Sequence, residues 1–82
     1  MAVGDVIAGN ALTVGLLGFG TTAALNPRAV LELKSTTGAL LVPRMTTTQR
    51  DAFGANVANG MIIYNTTTTT IQGYQGAGWT NL

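Results

Sequence analysis

"MIIYNTTTTTIQGYQGAGWTNL", Met61 to Leu82, is the stretch whose reading decides the architecture. Met61 to Asn65 is apolar, β-branched and aromatic, the composition that packs well on a pleated surface, and it is the strongest strand signal in the chain. Five threonines follow, Thr66 to Thr70, and read as a hairpin tip running into a second strand, "TIQGYQ". "GAG" then supplies a turn, and "WTNL" a short final strand or docked tail. The C-terminal third is therefore expected to be a run of hairpins.

Upstream lies "LLVPRMTTTQRDAF", residues 40 to 53, with three ions in a chain that has few. Thr46 followed three residues later by Gln49 fits a capping box, in which each satisfies a backbone N–H of the first helical turn. Gly54 is placed to take the left-handed conformation that ends a helix, so the helix has two turns or so, with Ala52 and Phe53 on its apolar face. "ALLV", Ala39 to Val42, is apolar on both faces and predicts a strand covered on both sides and ended by Pro43. "STTG" before it is a turn by composition, as is Asn59-Gly60 at the end of "ANVANG".

In "AVLELK", Leu31 and Leu33 alternate with Glu32 and Lys34, the period of a half-buried strand with the ions on its wet face. "GFGTTAALNPR" reads as a turn region stopped at Asn26-Pro27. Before it, Gly4, Gly9 and Gly15 interrupt the apolar pattern, and interior glycines each cost a helix about 1 kcal/mol relative to alanine, so bent, extended segments fit better. The expected fold is mainly β with one short α-helix: a small hairpin-rich subunit of three to six short strands, with an extended apolar N-terminal arm. Residues 1–28 form the arm, covered by partners, and residues 29–82 the β-rich module.

Composition points to assembly. The chain has 82 residues, 46% hydrophobic and 9% charged, which leaves too few ions to coat a small domain. Domains of this size bury only about 60% of their unfolded surface, so apolar surface is expected against another chain. A net charge of +1 cannot supply the row of phosphate contacts that nucleic-acid affinity requires. Without cysteine there is neither disulfide nor thiolate metal site, and without histidine the commonest metal ligand and general base are missing. Val6 to Pro27 carries no charge, but asparagines, threonines and four glycines dilute it and Asp5 rather than a basic residue precedes it. A membrane span and a signal peptide are both disfavoured.

Little chemistry emerges. Gly18, Gly20 and Ala23 match a dinucleotide fingerprint, yet Pro27 follows too soon for the helix that motif needs, so a glycine turn is the better reading. Ser35 has no histidine to activate it, and Asp5, Glu32 and Asp51 lie on separate elements. No catalytic, cofactor-binding or metal residue is assigned. Asn65-Thr66-Thr67 is formally a glycosylation sequon, without a secretory signal to give the modification a route. Tyr64, Tyr74 and Trp79 cluster around one hairpin and are candidate glycan contacts, although such rings more often pack a hairpin or an interface. Arg44 and Asp51 are expected to pair where the strand meets the helix, within a subunit or between subunits, as a register lock. Arg44, Arg50, Asp51, Leu41, Met61 and Ile63 are the structural or interface residues.

The pieces Leu41 to Thr46, Gln49 to Ala52, Gly60 to Thr67, and Tyr74, Gly76 and Trp79 occur in an order that resembles a recurrent module of bacteriophage tail-fibre and other virion proteins. "GFGTTAALNP" has one residue more than that module's usual spacing before the proline. The resemblance implies a non-catalytic, usually trimeric part of a phage particle: a homotrimer in the virion. Its apolar arm is expected to anchor it to other virion proteins of capsid or tail, as a fibre, a capsid decoration or an adaptor. The alternative is a receptor-binding module at a fibre tip, contacting host glycan through Tyr64, Tyr74 and Trp79.

Overall fold

The computed structural model describes residues 17–20 and 26–82, so most of the expected arm, residues 1–16 and 21–25, lies outside the described residues. The chain divides into two compact units, residues 1–39 and residues 40–82. In the first, β1 (Leu17–Phe19) and β2 (Leu31–Leu33) form a two-stranded parallel ladder, with Leu17 opposite Leu31 and Phe19 opposite Leu33. Gly20 turns the chain out of β1 at φ 78°, passing so close to the Lys34 carbonyl that a Cβ would overlap it. Ser35 caps the turn after β2, its hydroxyl accepting from the Thr37 and Gly38 amides.

The alternation in β2 is real, but Leu31 and Leu33 and not Glu32 take its exposed side, while Lys34 after it is exposed as expected. Leu31 and Leu33 are 50% and 45% exposed, whereas Glu32 is half-buried, its carboxylate accepting from the Asn26 amide at 3.1 Å. The wet face of this strand, within one chain, is the leucine face.

In the second unit, β3 (Arg44–Met45), β4 (Ile62–Asn65), β5 (Thr70–Gln75) and β6 (Gly78–Asn81) form a four-stranded sheet in that order. β3 runs parallel to β4, and β4–β5 and β5–β6 are antiparallel hairpins. The strand expected at Ala39–Val42 is absent, and Leu40 and Leu41 are 65% and 71% exposed. Pro43 opens a strand instead of ending one. It has no N–H to give a ladder, but its carbonyl accepts from Tyr64, and the Met45 carbonyl continues the ladder by accepting from Thr66.

Between β3 and β4 the chain forms α1 (Thr47–Asp51) and a single 3-10 turn, Gly54–Asn56. The capping box is complete: Thr46 accepts from the Gln49 amide at 3.2 Å, and Gln49 Oε1 from the Thr46 amide at 2.9 Å. Gly54 takes φ 56°, as expected for its place after the helix. Of the two residues expected on the helix's apolar face, Phe53 is half-buried against Trp79, whereas Ala52 is exposed. At the hairpin tip Asn65 Oδ1 accepts from the Thr67 and Thr68 amides, and Thr69 takes φ 56°, unusual for a β-branched residue. The fold is small, β-rich and carries one short helix, as the sequence predicts.

Candidate functional site

Because side chains alternate across a strand, the four-stranded sheet has two faces of different character. One carries Ile63 and Asn65 of β4, Gln72 and Tyr74 of β5, and Trp79 and Asn81 of β6, and α1 packs on it. Ile63 is the one buried hydrophobic residue among the described residues; Asn65 and Gln72 are buried beside it.

This inner face is held by a polar network. Asn65 Nδ2 donates to Thr47 Oγ1 at 2.9 Å and to Gln72 Oε1 at 3.0 Å. Gln72 Oε1 also accepts from Arg50 at 2.9 Å, and Gln72 Nε2 donates to Asn81 at 2.9 Å. Arg50 makes a salt bridge to Asp51 at 2.8 Å and lies over Trp79, 5.6 Å from the ring centroid. Among the described residues no buried side-chain polar atom lacks a partner. A network so fully satisfied specifies one strand register and one helix position, because any slip leaves buried amides unpaired.

The other face is bare. Ile62, Tyr64, Ile71 and Leu82 stand on it with no element packed against them in their own unit, and Ile62, Ile71 and Leu82 are 49%, 46% and 67% exposed. Gly73 leaves room for Leu82 to lie across β5, its Cδ1 3.2 Å from where a Cβ would be. Two apolar hollows open here. One of about 340 Å³ is lined by Leu40, Leu41, Val42, Arg44, Tyr64 and Ile71. The other, of about 260 Å³, lies among Met61, Ile62, Gly73 and Leu82. Contiguous exposed apolar surface with a single ion on it is the signature of a protein contact surface.

The structure distributes the expected residues between these faces. Arg50 and Asp51 pair with each other; Arg44 stands on the opposite face, beside Tyr64, and has no ion-pair partner among the described residues. Within one chain the Arg44–Asp51 pair is thus replaced by Arg50–Asp51. Leu41 belongs to the bare face, Ile63 to the core, and Met61, just before β4, is 38% exposed. The three candidate glycan rings do not share a surface. Tyr64 is on the bare face, while Tyr74 and Trp79 are on the inner one, edge to face at 5.4 Å, with the Phe53 ring tilted against Trp79 at 6.1 Å. Sequence reading missed Asn65, Gln72 and Asn81 as the organisers of the core. The available signal was their period-2 spacing in phase with Ile63 and Trp79.

Among the described residues no helix is long and apolar enough to cross a membrane, and no cluster of acidic residues could hold a metal ion. Residues 18–82 match a family described as "Phage tail like trimerisation region". Searches of curated proteins and of solved structures return no match.

Proposed function

The chain belongs to the phage tail-like trimerisation family, and on that premise we propose that it is a non-enzymatic virion structural protein. It acts as a small homotrimeric fibre, decoration or adaptor component, anchored to other proteins of the capsid or tail by its apolar N-terminal arm, residues 1–28. One observation carries the reading. The subunit buries a single hydrophobic side chain among the described residues and leaves the apolar face of its main sheet, together with Leu31 and Leu33 of β2, in solvent. A domain of this size gains too little from such a core to stand alone, and pairing those faces between copies removes the exposed surface at about 25 cal/mol per Å².

Sedimentation equilibrium on the full chain tests this: the expected species has three times the subunit mass at micromolar concentration, and a stable folded monomer there overturns it. The anchoring role predicts that the full chain cosediments with particles lacking it and that a chain without residues 1–16 does not. A glycan-binding tip would need Tyr64, Tyr74 and Trp79 on one open surface. Their division between two faces, with Trp79 under Phe53 and Arg50, gives that alternative no support.

A further inference from the structure

We infer that Arg44 crosses the subunit boundary to the partner subunit's Asp51, so that one ion pair at each interface sets the register in which the bare face of one subunit meets the next subunit. The inference rests on the reading of that face as the assembly surface. Arg44 is the one charged residue lining the larger apolar hollow, where its neighbours are three aliphatic residues, a tyrosine and Ile71. Covering that hollow with another chain takes the guanidinium out of water, and a buried cation without a counter-ion is strongly destabilising. The covering chain has therefore to bring acceptors for it, and a carboxylate is the acceptor that also neutralises its charge.

The chain has three acidic side chains, Asp5, Glu32 and Asp51. Asp5 lies outside the described residues. Glu32 is half-buried and accepts from the Asn26 amide in its own unit. The Asp51 side chain is 60% exposed, and both bonds from Arg50 fall on its Oδ1, so that Oδ2 accepts no hydrogen bond among the described residues. It is the only acidic residue of the unit that carries the bare face. Arg44 stands on the bare face of the sheet and Asp51 on the helix over the other face, so the two are not paired within one subunit and are placed to pair between subunits. In a cyclic trimer each contact joins two different patches of the same chain, so a donor on one face and an acceptor on the other close a ring.

The test is sedimentation equilibrium of the full chain carrying Arg44→Glu, Asp51→Lys or both. Each single change is expected to weaken assembly by about tenfold or more, and the charge swap to recover much of that loss. Asp51→Asn serves as a second measure, because its side-chain oxygen can still accept from Arg50 while the charge is gone; it is expected to weaken assembly as well, with an unchanged far-ultraviolet spectrum. If Arg44→Glu or Asp51→Asn assembles as tightly as the parent, or if the swap shows only the product of the two single losses, the inter-subunit pair is overturned while the trimer stands. A parent chain that stays monomeric overturns both.

Discussion

Asn65 and Gln72 meet side chain to side chain across the β4–β5 hairpin, Asn65 Nδ2 donating to Gln72 Oε1 at 3.0 Å, although the ladder sets them diagonally. Asn65 stands opposite Thr70, and Gln72 opposite Ile63. Amides thus occupy positions that a larger domain would fill with apolar residues. They tie β4, β5, β6 and the helix together through directional bonds.

Removing Asn65 should therefore cost more than an ordinary polar substitution. In Asn65→Ala, Thr67 and Thr68 lose the acceptor that closes the hairpin tip and Gln72 loses a buried donor. The expected destabilisation is roughly 2 to 3 kcal/mol, read from urea unfolding at fixed chain concentration because assembly couples to stability. An Asn65→Leu chain as stable as the parent would show that the network contributes nothing net.

The elements set by local chemistry were legible in the sequence. The Thr46–Gln49 capping box, the strand at "MIIYN", the threonine tip and the bounds of β5 all depend on residues adjacent in the chain. What escaped depends on partners far apart. Asn65 bonds Thr47, 18 residues away, and Gln72 bonds Arg50, 22 away. Pro43, expected to end a strand, opens one for a related reason: a proline ends a central strand but can open an edge one, and only the pairing with Tyr64 decides which. Leu40 and Leu41 of "ALLV" and the leucines of β2 look buried in the sequence and stand exposed in one chain, because hydrophobic patterning reports that a residue favours burial and not which surface covers it; on the proposed reading that surface is another copy.

Thr46→Ala should destabilise the subunit by about 1 kcal/mol, and Thr46→Ser by much less, since serine restores the acceptor for the Gln49 amide. Hydrogen exchange provides the local reading: the Gln49 amide should lose protection in the alanine variant and regain it in the serine variant.

Gly20→Ala should disrupt the β1–β2 ladder. The residue sits at φ 78°, and any Cβ overlaps the Lys34 carbonyl oxygen, which is backbone and cannot rotate away. The Lys34 amide, which donates to Phe19 at 2.9 Å, should then exchange rapidly, while amides of β4 and β5 keep their protection. An unchanged Lys34 exchange rate would contradict the described path of the chain at Gly20.

Arg50→Lys should destabilise despite keeping the charge, because the planar fork joins Gln72, Asp51 and the Trp79 ring at once. A lysine can serve one of these as a point charge. A loss of roughly 1 to 2 kcal/mol is expected from the two forfeited contacts, with Trp79 fluorescence becoming more accessible to iodide. In the parent chain, Trp79 emission should not respond to a panel of host-surface glycans; a saturable shift would revive the receptor-binding alternative.

Ile71 and Ile63 offer the sharpest separation of interface from core, because they sit on neighbouring strands and face opposite ways. Ile63 is 3% exposed against the helix side, and Ile71 is 46% exposed on the bare face. Truncating Ile63 to alanine should cost the fold roughly 2 to 5 kcal/mol, as buried aliphatic truncations do. Ile71→Asp should cost a single subunit about 0.5 kcal/mol or less, since its carboxylate stays hydrated there. In the assembly the same carboxylate would take apolar surface from the contact and compete with the partner subunit's Asp51 for Arg44, which lines the same hollow, so the trimer should weaken by at least about a hundredfold. The two variants should thus fail differently: Ile63→Ala by lowering the unfolding midpoint, Ile71→Asp by shifting the sedimenting mass to that of one subunit. An Ile71→Asp chain that still sediments at three times the subunit mass would place the contact elsewhere, with the exposed β2 leucines as the next apolar surface to test.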